Sequence, residues 1–266
     1  MTFDSTAYLE RIRLPEAPTP DADGLIAVQR AHRLAIPFEN LDVRLGRGIE
    51  LAPDAIFDKL VTRRRGGYCF EQNGLFLRAL DHFGFAARPL LARVWLGAET
   101  IPARTHLLLL VRFGDSFWIA DAGFGGAFCP PMPLAEGECD SPDGASHRLV
   151  RDPRHGWLLE RRAPGAGDWA AQYSFTLDEV WPADIAQANH HTATLPGSRF
   201  VDNVVASIVL PHGFASLMNR AYSRTSANGT EQNEISSAKM LRVRLSLMFG
   251  IDLTAEDVAG LGLFDA

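Results

Sequence analysis

The spacing of apolar residues divides the chain into an early stretch of helical period and a longer stretch of strand character. Leu25, Ile26, Val28 and Leu34 predict a helix over 21–34, with Pro37 just past its end. Residues 5–13 predict a shorter helix before it. Another follows at 53–64, opened by Pro53 and carrying Ile56, Phe57, Leu60 and Val61. A fourth begins at Cys69: Cys69, Asn73, Phe76, Leu80 and Phe83 fall on one helical stripe, and Gly84 supplies a stop. Gly66-Gly67 predicts a tight backbone turn just ahead of that helix. Between the second and third helices lies Ile36-Pro37-Phe38-Glu39-Asn40-Leu41, an apolar segment interrupted by a carboxylate and an amide.

Strand patterns take over at 86–95 and 105–113, with Gly114-Asp115 as a turn and 116–121 as the return strand. Shorter strands are expected at 147–151, 157–161 and 172–177, while 130–144, rich in Pro, Gly and acids, reads as a loop. From about residue 178 a polar, partly helical connector runs to 191. Strand-like stretches at 200–210 and 213–223, a turn near Asn228-Gly229 and a closing helix over 236–249, stopped by Gly250, complete the chain. Helices first, then strands, then a mixed tail define an α+β fold with regions 1–85, 86–177 and 178–266, the middle one an antiparallel barrel or sandwich.

Composition narrows the function classes. The 266 residues carry a formal net charge of -6, which gives no broad basic face for nucleic acid. The longest uninterrupted apolar run, Leu107 to Val111, is far too short to span a bilayer, and the start Met1-Thr2-Phe3-Asp4 lacks the pattern of a signal peptide. Three cysteines do not make an even disulfide framework. No paired Cys-x-x-Cys or His-x-x-x-His spacing suggests a metal site. These features together read as a cytoplasmic protein with reduced thiols.

The chemistry gathers around Cys69. A thiol in the first turn of a helix sits where negative charge is favoured, and the thiolate is the reactive form. If Gly114-Asp115 is a two-residue turn, paired residues place His106 opposite Gly123 and Asp121 opposite Leu108. His106 and Asp121 are then diagonal neighbours on one sheet face, ~7–8 Å apart at Cα, with Gly123 leaving room for the imidazole. Taken singly, each of these residues has an ordinary structural reading; as a Cys-His-Asp set they form a nucleophile, a base and its orienting acid. Glu39, in its apolar context, needs a cationic partner, and Arg64 or Arg65 is the nearest in kind. Cys129, Cys139, His147, His155, His190 and His191 are read as taking no part.

Arg65-Gly66-Gly67-Tyr68-Cys69-Phe70-Glu71-Gln72-Asn73, His106 before its leucine run, and Asp121-Ala122-Gly123-Phe124-Gly125-Gly126 together resemble the arylamine N-acetyltransferase family. Residues 36–41 match a further motif, and Thr194-Leu195-Pro196-Gly197-Ser198-Arg199-Phe200 resembles another with looser spacing. The resemblance implies an N-terminal helical bundle, a central antiparallel β-barrel and a C-terminal α/β lid around a papain-like Cys-His-Asp core. It also implies ping-pong acetyl transfer from acetyl-CoA, as co-substrate, to a small aromatic amine, hydrazine or N-hydroxyarylamine. By motif, Cys69, His106 and Asp121 would be catalytic, and Gly125, Gly126 and Phe200 would contact the coenzyme. Phe38, Phe70 and Phe124, in or beside these motifs, are candidate walls for the aromatic ring. A cysteine hydrolase or transglutaminase-like acyltransferase on the same three residues is the alternative. No metal, nucleic acid or membrane partner is implied, and no oligomeric state.

Overall fold

A computed structural model describes residues 2–264. The helical part opens with α1 (Ser5–Ile12) and α2 (Ala22–Ala35). Asp4 and Asp21 cap them by accepting from the backbone N–H groups of Ala7 at 3.0 Å and Gly24 at 2.8 Å. The short strand β1 (Phe38–Glu39) and the single turn α3 (Leu41–Arg44) follow. The helix expected over 53–64 is not uniform. It is α4 (Pro53–Phe57) continued by a π-helical stretch, Asp58–Thr62. The buried Arg11 ties this stretch to its surroundings: the guanidinium donates to Leu60 O within it at 2.9 Å, to Arg64 O and Arg65 O just past it at 3.3 Å each, and to Ala35 O at the end of α2 at 2.6 Å. Then comes α5 (Cys69–His82), ended near Gly84, whose φ of 84° suits only glycine.

Strands β2 (Ala86–Val94), β3 (Arg104–Phe113), β4 (Ser116–Ala120), β5 (Met132–Pro133), β6 (Gly137–Asp140), β7 (Ser146–Asp152), β8 (Gly156–Arg162) and β9 (Ala170–Phe175) form one antiparallel sheet. Its order is β5-β4-β3-β2-β9-β8-β7-β6, a nearly closed barrel whose two end strands approach where Cys139 Sγ lies 4.0 Å from Met132 Sδ. The stretch read as a loop at 130–144 thus contains β5 and β6. Neither alternates polar and apolar residues in the way a half-buried strand does, and β6 is an exposed edge. The β3–β4 hairpin has the expected register, Phe113 opposite Ser116 and Leu109 opposite Ala120. Leu108 and Leu110 face the barrel interior while Leu109 and Val111 face the helices, so the leucine run is buried on both sides.

The remainder comprises α6 (Pro182–Thr194), α7 (Arg199–Asp202), β10 (Val205–Leu210), β11 (Gly213–Met218), β12 (Ala221–Ser226), β13 (Gly229–Glu234), α8 (Ala238–Phe249) and α9 (Ala255–Gly260). Two strand assignments change. Residues 199–202 are helical because Ser198 caps them, and 213–223 is a hairpin that reverses at Asn219, which adopts φ 53°. The second sheet has the order β1-β10-β11-β12-β13, so its first strand comes from the segment before α5. Leu241, Leu245 and Phe249 of α8 pack on it.

Gly66 and Gly67 correct another expectation. Neither has a positive φ; both are there for close approach. A Cβ on Gly66 would lie 2.2 Å from Pro37 O, and one on Gly67 would lie 2.7 Å from Glu71 Oε2. Gly67 runs alongside β1, its carbonyl accepting from Glu39 N–H at 3.1 Å. Gly66→Ala is therefore expected to cost about 3 kcal/mol, the upper end for overpacking, seen as a fall of several degrees in Tm. Gly167→Ala, where a Cβ meets nothing within 4 Å, should leave Tm essentially in place.

Candidate active site

The first turn of α5 is fixed by a buried charge network. Tyr68 N–H donates to Glu71 Oε2 at 3.1 Å, closing the helix start. Glu71 Oε1 accepts from Lys59 Nζ at 2.7 Å, and Lys59 also meets Asp42 Oδ2 at 2.7 Å. Arg65 bridges Asp42, at 3.4 Å, to Glu39, to which it donates from Nε at 3.0 Å and Nη2 at 2.7 Å. Of the two arginines proposed for Glu39, Arg65 is the partner; Arg64 is exposed. Glu39 itself is fully buried, and its second oxygen accepts from Leu41 N–H at 2.8 Å.

Cys69, His106 and Asp121 come together where α5 meets the mouth of the barrel, all three buried. His106 Nε2 lies 2.7 Å from Asp121 Oδ2. The Cys69 thiol lies within hydrogen-bonding reach of the ring and also points at the Thr105 carbonyl, 3.8 Å away. Asp121 Oδ1 accepts from Asn73 Nδ2 and from Gly123 N–H, both at 2.9 Å. Burial opposes charge on the His106 ring. The carboxylate of Asp121, its hydrogen bond and the contact with Cys69 outweigh that and raise the ring to about 10. Burial likewise works against the Asp121 charge, but His106 and the two N–H donors hold its carboxyl below the usual range.

Several supporting residues escaped the sequence reading. Asn73 also donates to Leu107 O at 2.5 Å and accepts from Ala122 N–H at 2.9 Å, tying α5 to both arms of the β3–β4 hairpin. Gln29 accepts from Asp121 N–H at 2.7 Å. Arg33 reaches the carbonyls of Gly126 and Ala127. Gln72 links Pro37 O to His32, itself bonded to the Tyr8 hydroxyl. The signal for them was present: Gln29, His32 and Arg33 lie three and four residues apart on one face of α2, and buried polar groups need partners. The role given to Gly123 also changes. A Cβ there would stand 2.6 Å from Asn73 Nδ2 and 2.8 Å from Cys69 Cα, so its bareness admits α5, not the imidazole.

A cavity of about 1190 Å³ opens from Cys69 and His106 across the barrel mouth to the face of the second sheet, where Ser207 and Ser216 line it. Phe38, Phe124, Gly125, Gly126 and Phe200 all line it. The Phe124 ring packs edge-on against His106 at 5.0 Å, and Phe38 lies 5.7 Å from Phe200. Gly125 is held against Phe38, where a Cβ would come within 3.1 Å of the ring, and Gly126 N–H donates to Ser207 Oγ at 2.7 Å. Phe70 does not line the cavity. One residue on from Cys69, it points about 100° away around the helix and buries against Tyr68 at 5.4 Å. Tyr68 in turn donates from its hydroxyl to Asn189 of α6. Among the described residues, no helix is long and apolar enough to cross a membrane.

A buried thiol, imidazole and carboxylate at the mouth of a cavity, on a helix-plus-barrel frame, define an acyl-transferring class, and the family model described as N-acetyltransferase matches residues 21–258. The chain is 36% identical to the arylamine N-acetyltransferase of Mycolicibacterium smegmatis, over 98% of this chain and 95% of that one. It is 38% identical to the arylamine N-acetyltransferase / N-hydroxyarylamine O-acetyltransferase of Salmonella typhimurium, over 94% and 90%. The solved Salmonella typhimurium enzyme superposes with a TM-score of 0.92 at 35% identity, covering 99% of this chain and 100% of that one. The Mycobacterium marinum enzyme, solved in complex with CoA, gives 0.89 at 33%, covering 97% and 98%. The chain belongs to the arylamine N-acetyltransferase family.

Two outcomes are expected from this geometry. Glu39→Gln breaks the buried pair with Arg65 and should cost roughly 3–5 kcal/mol, read as a lower Tm accompanied by lower activity; a variant of native stability but no activity would give Glu39 a direct role instead. The second concerns pH. His106, raised in the folded state, contributes stability that is complete below about 6.5 and lost as pH rises through about 10. Asp121, lowered, contributes stability that is lost as pH falls below about 3.8. The stability gap between wild type and Asp121→Asn, from denaturant melts, should narrow between pH 6 and about pH 10. A constant gap would mean that His106 is neutral in the folded protein.

Proposed function

We propose that the chain transfers acetyl groups from acetyl-CoA to arylamines, arylhydrazines and N-hydroxyarylamines by a ping-pong route through acetyl-Cys69. The observation that carries this reading is His106 held between a buried carboxylate and the Cys69 thiol at the mouth of an open cavity. An imidazolium beside a thiol favours the thiolate, and the first turn of α5 adds unpaired N–H groups near the sulfur. The sulfur attacks the thioester carbonyl, and those N–H groups face the oxyanion that forms. The bond to the CoA sulfur breaks, and His106 returns a proton to the leaving thiolate. The neutral aryl amine then attacks acetyl-Cys69, His106 takes a proton from its nitrogen, and the Cys69 thiolate leaves.

Acetyl-CoA fits the cavity's form. Gly125 and Gly126 offer wall without side chains, and the opening runs past Phe200 to the second sheet. The M. marinum relative binds CoA, which supports the same use here. Phe38 and Phe124 would flank the aromatic ring, with Phe124 already stacked edge-on against His106. Asp121 acts through His106 by fixing its ring orientation and charge.

Mass spectrometry of the intact protein after mixing with acetyl-CoA should show one acetyl group, mapped to Cys69, that departs when an aryl amine is added and is absent in Cys69→Ala. An adduct lost equally fast without amine would point to hydrolysis, and no adduct on Cys69 would end the proposal.

A further inference from the structure

We propose that the side of the barrel mouth built by His147 and Arg161 is a subsite for a neutral substituent on the aromatic acceptor, one that both donates and accepts hydrogen bonds, such as a primary carboxamide. The inference rests on the acetyl-transfer reading above. His147 and Arg161 are direct cross-strand neighbours on β7 and β8, and both line the cavity that contains Cys69 and His106.

The proton positions follow from the contacts. Ser141 Oγ lies 2.8 Å from Phe128 O and 2.9 Å from His147 Nδ1. A carbonyl can only accept, so the single hydroxyl proton goes to Phe128, and His147 Nδ1 must carry the hydrogen it gives to Ser141. Burial, with the Arg161 charge nearby, lowers the ring to about 4, so it is neutral near pH 7. Its Nε2 is then a bare lone pair without a partner among the described residues, on a side chain only 2% exposed.

Arg161 supplies the donor. Its Nη2 is bound to the buried Asp143 at 2.6 Å, and its Nε–H is sealed from the cavity, while Nη1 has no partner among the described residues and is the N–H that the cavity can reach. Because Asp143 already balances the guanidinium, the subsite has no net positive charge. A carboxylate there would bring an unbalanced charge and set its oxygens against the His147 lone pair. A carboxamide presents a carbonyl to Arg161 and an N–H to His147. An unpaired polar group at such a site penalises an analogue that lacks the matching atom.

The position suits the far end of an acceptor. Tyr173 has its ring 5.2 Å from that of His106 and pairs with Leu159, two residues before Arg161 on the inward face. Two residues along a strand add about 7 Å, which puts the subsite on the order of 10 Å from His106. One aromatic ring with a substituent opposite its amine spans that gap.

The test compares kcat/KM for 4-aminobenzamide, 4-aminoacetophenone and 4-aminobenzoate. The first two differ by an N–H donor in place of a methyl and have similarly weak amines. Wild type should favour the amide over both by roughly tenfold. His147→Leu should bring the amide-to-ketone ratio near one, and His147→Gln, which keeps an acceptor near the Nε2 position, should recover part of it. If the leucine variant does not fold, Arg161→Met takes its place and should lower amide and ketone together relative to aniline. A wild-type ratio near one, or a ratio that survives His147→Leu, overturns the subsite. So does a preference for the benzoate that depends on Arg161, which would make it an anion site. Acetylation of Cys69 measured in the same samples separates the two claims: without it, the acetyl-transfer reading fails first.

Discussion

The contact between His106 and Asp121 is the constraint on which the rest of the molecule depends. Two charged groups are taken out of water at 2.7 Å, and each such burial costs several kcal/mol unless fully compensated. The compensation is drawn from every layer. α5 contributes Asn73, the backbone after β4 contributes the Gly123 N–H, and α2 contributes Gln29 to the Asp121 backbone and Arg33 beneath the same loop. The Gly123 N–H is local to its loop, but the contacts from Asn73, Gln29 and Arg33 are in place only once the helices are docked on the barrel. The pair that sets the ring's charge therefore also locks the two layers in register.

With Nε2 committed to Asp121, the imidazole has one nitrogen left, and what it meets depends on where α5 begins. That start is over-determined. Three carboxylates, Glu39, Asp42 and Glu71, alternate with Lys59 and Arg65 in a chain of contacts leading to the capped backbone of Tyr68. Gly66, Gly67 and Gly123 then let three backbone segments approach the helix start more closely than any side chain would permit. Stability is poorly served by so much buried charge. Positional accuracy is well served, and reactions between held groups are sensitive to errors of about 1 Å.

Much of this was legible in the sequence because it followed from periodicity and one turn. The stripe from Cys69 to Phe83 set which face of α5 is inward. Gly114-Asp115 fixed the hairpin register, and register alone put His106 and Asp121 on one face. Two kinds of element were harder to see, one for want of any local pattern and one because its signal was a single cap. β5 and β6 owe their strand form to partners across the barrel, and 199–202 bends into a helical turn through its Ser198 cap. Gly66, Gly67 and Gly123 were read as freedom or as space for the imidazole, because a sequence shows that a glycine is present but not which neighbour needs it to be bare. Phe70 stands outside the cavity for a simpler reason: adjacency in the chain to Cys69 means divergence around a helix.

The barrel interior also changes character along its axis. The inner layers, with Leu90, Leu108, Leu110, Leu149 and Phe175, are apolar and buried. The mouth layer replaces leucines with His106, His147, Arg161 and Tyr173, and Tyr173 buries its hydroxyl beside Asp121. An acyl group carried on Cys69 would lie at this boundary. Apolar surface on one side deprives water of anchoring partners, whereas the polar rim rewards a substrate that brings its own hydrogen-bonding groups. The same gradient that keeps the floor folded thus gathers the barrel's polar side chains at the mouth, beside Cys69.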